Sequence, residues 1–126
     1  MNNPVVWFEI YVADMPRARA FYETMLGIAL QSLKTPDCLG DLEMWAFPMD
    51  MTHTGAGGAL AKMAGVAPGG GGTLVYFACE DCAVEAARAV AAGGSLLKGK
   101  ISIGEYGHIA IVNDTEGNCI GLHSMQ

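Results

Sequence analysis

The residues with the most chemistry to offer are one carboxylate and three imidazoles. Glu9 sits inside VVWFEIYV (residues 5–12), a run otherwise free of charge. A carboxylate embedded in apolar sequence needs hydrogen-bond partners or a raised pKa. Such a group can act as a general base or anchor a ligand cation or hydroxyl; a structural hydrogen bond is the plainer alternative. His123, in CIGLHS (119–124), is the candidate partner for an acid–base couple with Glu9, since imidazole titrates near neutrality; a surface histidine at a strand end is its plainer alternative. His108 follows the glycine-rich IGEYG, where Tyr106 can reach over a cavity mouth or the segment can be only a turn. His53 lies in the polar MDMTHTGAGG, with solvent as its expected neighbour, and Glu43 in LGDLEMWAF has no clear alternation to orient it.

Cys79-Glu-Asp-Cys82 spans a strand-to-helix junction, but two acids stand between the thiols and disfavour a thiolate. No second Cys-x-x-Cys completes a zinc site. No Gly-x-Ser-x-Gly elbow, dinucleotide fingerprint or His-Glu-x-x-His occurs, so a nucleophilic hydrolase or dinucleotide enzyme has no support. The methionines, among them Met44, Met49, Met51 and Met63, are expected to fill gaps in the core.

These groups must be positioned by one domain, since 126 residues suffice for a single core. The net charge is −6 and the seven Lys and Arg are scattered, which makes nucleic acid and anionic membrane poor partners. No apolar run approaches the ~18 residues of a membrane span. The opening MNNPVVWFEIYVAD has neither a basic region nor a small-residue cleavage site. Four cysteines without a signal suggest reduced thiols and a cytoplasmic location.

The elements repeat. Residues 5–12 form a strand pattern, Asp14 is placed to cap a helix with Pro16 in its first turn, and Gly27 suits its end. Ala18, Phe21, Tyr22, Met25 and Leu26 recur at helical spacing and predict a packing face. A strand over 28–34 follows. After a shift of 67 residues, TLVYFAC is again a strand, Asp81 stands where Asp14 stood, a helix covers 82–92, and Gly94 stands where Gly27 stood. Residues 42–47 and 108–113 match as strands, as do GGALAKM (57–63) and CIGLHSM (119–125). Each half is then β-α-β-β-β: module one over about 4–64, module two over about 73–126, and between them GVAPGGGG (65–72), a flexible connector.

This ordered set, WFEIYVADMPRARAFYETMLG, FPMD, GGAL, GGTLVYFACED, IGEYGHIA and DTEGNCIGLHS, resembles the vicinal oxygen chelate superfamily of glyoxalases, bleomycin-resistance proteins and extradiol dioxygenases, in its short glyoxalase-like branch. The resemblance implies an α+β fold of two βαβββ modules forming a curved mixed sheet around a cavity, helices outside, in a homodimer. Metal-using members take ligands from the first and last strands of each module. Counting from the capping aspartates puts those positions at Trp7, Ala59, Leu74 and Gly121, none of which offers a metal donor.

Strand alternation sends Phe8, Ile10 and Val12 toward the helices and Trp7, Glu9 and Tyr11 toward the cavity. Leu74, Tyr76, Gly121 and His123 face it likewise, with Tyr106 and His108 at its rim. The small Ala59, Ala61 and Gly121 are expected to leave room, and Trp45 to join Trp7, Tyr11 and Tyr76 in an aromatic pocket. The expected function is binding of a small organic molecule in that cavity with no metal or other cofactor. The alternatives are a lyase or isomerase using Glu9 as base, a divalent-metal lyase or dioxygenase recruiting Glu9, Glu43, His108 or His123, and a structural dimer without a ligand.

Overall fold

The computed structural model describes residues 3–126, which contain eight strands and two helices in an α+β arrangement. They form two compact units. One is residues 7–73; the other is residues 74–126 with the leading residues up to Val6. No helix among the described residues is long and apolar enough to cross a membrane.

In the first unit, β1 (Val5–Tyr11) runs parallel to β4 (Gly57–Lys62), followed outward by antiparallel β3 (Glu43–Ala46) and β2 (Gln31–Leu33). Helix α1 (Met15–Leu26) begins where Asp14 accepts the Arg17 amide at 3.0 Å and ends at Gly27, whose φ of 65° only glycine adopts without strain. Removing that cap by Asp14→Ala should cost about 1 kcal/mol, measurable in urea denaturation as a lower midpoint with an unchanged slope.

The helix packs on one face of the sheet. Met15, Leu30 and Leu60 are buried there with Ile10, Val12, Ala18, Tyr22, Trp45 and Phe47 around them. The helical stripe read from sequence is corrected by its neighbours. Ala18 and Tyr22 do pack inward, but Phe21, Met25 and Leu26 are more than half exposed, because the inward line runs through Met15, Ala18 and Tyr22 and leaves them on its flank. The connector is also more ordered than its glycines suggest. Gly72 donates to the Gly69 carbonyl at 2.9 Å, and the Tyr11 amide donates to the Gly72 carbonyl, so the segment turns back and extends the pairing of β1.

In the second unit, β5 (Thr73–Ala78) runs parallel to β8 (Cys119–Ser124), then antiparallel β7 (His108–Asn113) and β6 (Ser95–Ser102). Helix α2 (Cys82–Ala91) is capped by Asp81, which accepts the Ala83 amide at 3.0 Å and Lys100 Nζ of β6 at 2.8 Å. Its core is Cys82, Ala86, Ala110, Val112 and Leu122, with Phe77 and Ile120 against them.

Register confirms that the two units repeat one plan. In the first, Glu9, five residues before its cap, lies opposite Ala59; in the second, Tyr76, five before its cap, lies opposite Gly121. Ala59 and Gly121 are therefore equivalent, and the closing strands have not slipped by a residue, which would have turned their side chains over.

Candidate functional site

The period of two along β1 puts Trp7, Glu9 and Tyr11 on the sheet face away from α1. Three consecutive side chains on one face can reach one another, and here they do. The Tyr11 hydroxyl donates to Glu9 Oε1 at 2.8 Å, and Trp7 Nε1 donates to Glu9 Oε2 at 3.1 Å. Glu9 is 5 % exposed. Burial raises its pKa above the usual carboxylate value, more than the Tyr11 and Trp7 hydrogen bonds lower it. Each carboxylate oxygen accepts one bond from these donors and has a second lone pair. The group is thus a neutralisable acceptor in an aromatic frame, suited to hold a ligand donor or exchange a proton.

The floor under this frame is made of alanines. Ala59 lies opposite Glu9 and Ala61 opposite Tyr11; both are fully buried, with Trp7, Tyr11, Leu42 and Met44 packed against them. Space that the sequence suggested was open is partly filled by these rings. Gly121 repeats the correction: a Cβ there would lie 2.3 Å from the Tyr76 ring, so the missing side chain seats that ring. Tyr76 itself is buried, and Leu74 half-buried on the same strand.

Faces settle several assignments. Trp45 is not part of the Trp7–Tyr11 frame. It packs on the α1 side, under the Arg19 guanidinium, whose Cζ is 3.5 Å from the ring centroid. Glu43 shares that side, accepting from Trp45 Nε1 at 3.1 Å, opposite to the face of Glu9. In the second unit, His108 shares the face of Ala110 and Val112, which pack on α2. It is therefore on the reverse side of the sheet from Gly121 and His123, away from the rim position expected of it. His123 Nε2 donates to the Tyr106 carbonyl at 2.6 Å, tying β8 to the 3-10 turn of Gly104–Tyr106; the Tyr106 side chain is 39 % exposed. Glu9 and His123 each have hydrogen-bond partners within their own unit.

These placements test the metal. Glu43 faces away from Glu9 within the first unit, and His108 faces away from His123 within the second, so the four cannot serve as a converging alternative ligand set. Among the described residues no three His, Cys, Asp or Glu come together to hold an ion. At the family positions, Ala59 is buried without a donor and Gly121 lies under an aromatic ring. The residues do not fit the superfamily's divalent cation.

The Cys79 thiol is pushed up to about 11, first by burial and then by Glu85 and Cys82, rather than by the acids inside the motif. No disulfide joins any of the four cysteines. One feature was invisible to sequence reasoning: a cleft of about 610 Å³ lined by Val12, Asp41, Glu43, Lys62, Met63 and Pro68, formed where the connector folds back. Met63 also packs against the cluster that contains Trp7 and Tyr11, so the cleft adjoins that face.

The family model Glyoxalase/Bleomycin resistance protein/Dioxygenase superfamily matches residues 5–122. No curated protein matches the chain. Among solved structures, methylmalonyl-CoA epimerase from Mycobacterium tuberculosis is similar with a TM-score of 0.68 and 18 % identity, over 98 % of this chain and 88 % of that one. A methylmalonyl-CoA epimerase in complex with methylmalonyl-CoA and NH4+ is similar at 0.67 and 15 % identity, over 98 % and 95 %. A mutant 4-hydroxymandelate synthase from Streptomyces coelicolor is similar at 0.66 and 18 % identity, over 97 % of this chain and 38 % of its own.

Proposed function

The chain belongs to the Glyoxalase/Bleomycin resistance protein/Dioxygenase superfamily, and from that premise we propose that it binds a small organic molecule on the Trp7–Glu9–Tyr11 face without the superfamily's divalent cation. The observation that carries this is the buried Glu9 carboxylate, framed by two aromatic donors in a unit whose metal positions, Trp7 and Ala59, offer no ligand atom. Trp7 and Tyr11 supply flat apolar surface, and Glu9 accepts a hydrogen bond from a hydroxyl, enol or amide of the ligand.

Trp7 reports binding directly. Aromatic ketones, hydroxy-carbonyl compounds and acyl thioesters, the last suggested by the ligand of one epimerase neighbour, should be titrated while tryptophan fluorescence is followed. A saturable change, lost in Trp7→Phe but kept in Trp45→Phe, supports the proposal. A flat response to every compound removes it.

A second reading is favoured by the raised pKa of Glu9: proton transfer at carbon beside a ligand carbonyl, as a lyase or isomerase would perform. The two separate on one variant. Glu9→Gln in a catalyst abolishes solvent deuterium exchange into a bound compound, whereas a pure binder shows no exchange in either form.

A further inference from the structure

The β3–β4 loop contains Met49-Asp50-Met51-Thr52-His53, whose methionines belong to none of the hydrophobic clusters. Met49 is 42 % exposed and Met51 79 %, so neither is a core methionine of the kind their hydrophobicity suggested. Both line a cleft of about 200 Å³ together with Asp50 and His53.

We propose that this loop is a binding site for a soft monovalent cation, Cu(I) by preference, held by the thioethers of Met49 and Met51 and by His53 Nε2. Asp50 builds the loop: its Oδ1 accepts the Thr52 amide at 2.9 Å and the Thr52 hydroxyl at 2.6 Å. Its other oxygen, Oδ2, lies 2.7 Å from His53 Nδ1. A carboxylate only accepts, so Nδ1 carries a proton, and in the neutral imidazole the Nε2 lone pair is left for a ligand bond. Metal-binding histidines are commonly oriented this way. The Met49 sulfur has its own seat, since a Cβ at Gly57 would stand 3.0 Å from it.

Two neutral thioethers and one imidazole are a soft donor set. Thioether sulfur favours Cu(I), while magnesium, calcium and manganese favour oxygen. The single carboxylate is already bonded to His53 and Thr52, and its negative charge offsets that of one monovalent ion. Its donors are none of the four residues at the superfamily metal positions, and it does not depend on the ligand reading above.

The experiment uses the full chain carrying Cys38→Ser and Cys119→Ser, which removes the exposed thiols as competing soft ligands. The chain is labelled with 13C at the methionine methyls and titrated with Ag(I) as a redox-inert probe. It is then titrated anaerobically with Cu(I) against a chromophoric Cu(I) chelator. One equivalent should bind, shifting the Met49 and Met51 methyl resonances while those of the other methionines stay in place. Met49→Leu/Met51→Leu and, separately, His53→Gln should lose that binding, with the circular dichroism of the parent retained. Absence of binding, retention by the double methionine variant, or shifts confined to other methionines would overturn the site.

Discussion

Gly121→Glu is expected to destabilise the chain by about 3 kcal/mol, combining overpacking with an unpaired carboxylate in a packed site. This substitution restores a metal-ligating residue type at the superfamily position. The cause of the loss is local: the new Cβ alone would stand 2.3 Å from the ring of Tyr76, the residue paired with Gly121. At roughly 4 °C per kcal/mol for a domain of this size, the melting temperature should fall by about 12 °C. No stoichiometric metal should be gained. Calorimetry of the purified variant decides the matter; an unchanged melting temperature would mean that the space over Gly121 is open after all.

Tyr11→Phe should show a pH-dependent penalty. The hydroxyl is one of two donors to a buried carboxylate, and losing a hydrogen bond to a charged group costs about 1.5–3 kcal/mol. That cost applies while Glu9 is ionised and shrinks as acid protonates it. Glu9 itself carries the opposite sign. Its folded pKa is raised, so the folded state holds its proton more tightly than the unfolded state. The stability this contributes is fully present below the unfolded carboxylate pKa and is lost as pH rises through the folded value. Glu9→Gln should therefore melt above the parent at neutral pH, with the gap closing in acid. Thermal melts of parent and both variants from acid to neutral pH test both signs together. A Gln variant that loses stability at neutral pH would show that the ionised form is better satisfied than its burial indicates.

Much of this could be read in the sequence because short-range rules governed it. Asp14 and Asp81 sit where helices must be capped, and the strand period of two carried the count back to Trp7, Glu9 and Tyr11. What was illegible depended on partners across the sheet. Ala59 and Gly121 look like gaps until register places Glu9 and Tyr76 over them. Glu43 cannot be oriented from sequence, and Trp45, expected beside Trp7 and Tyr11, lies on the α1 face, because β3 is only four residues long and its bounds decide its parity. His108 went to the α2 side for the same reason: it opens β7, and only pairing with Ser124 fixes which way it points. The α1 stripe was offset because Phe21 and Met25 satisfy helical spacing as well as Ala18 and Tyr22 do. The connector cleft lies in a segment folded by bonds such as Val66 to Met63, Ala64 to Asp41 and Tyr11 to Gly72, which no residue pattern announces.

The central claim is that a ligand is held by the Glu9 frame and not by a cation. Its most direct test is the affinity of the best fluorescence-active compound for parent and Glu9→Ala, each measured with and without excess EDTA. The account predicts that EDTA leaves the parent affinity unchanged, while removal of the carboxylate weakens it by about 10-fold or more, the worth of one hydrogen bond to a charged group. Affinity abolished by EDTA, or undiminished in Glu9→Ala, would contradict it.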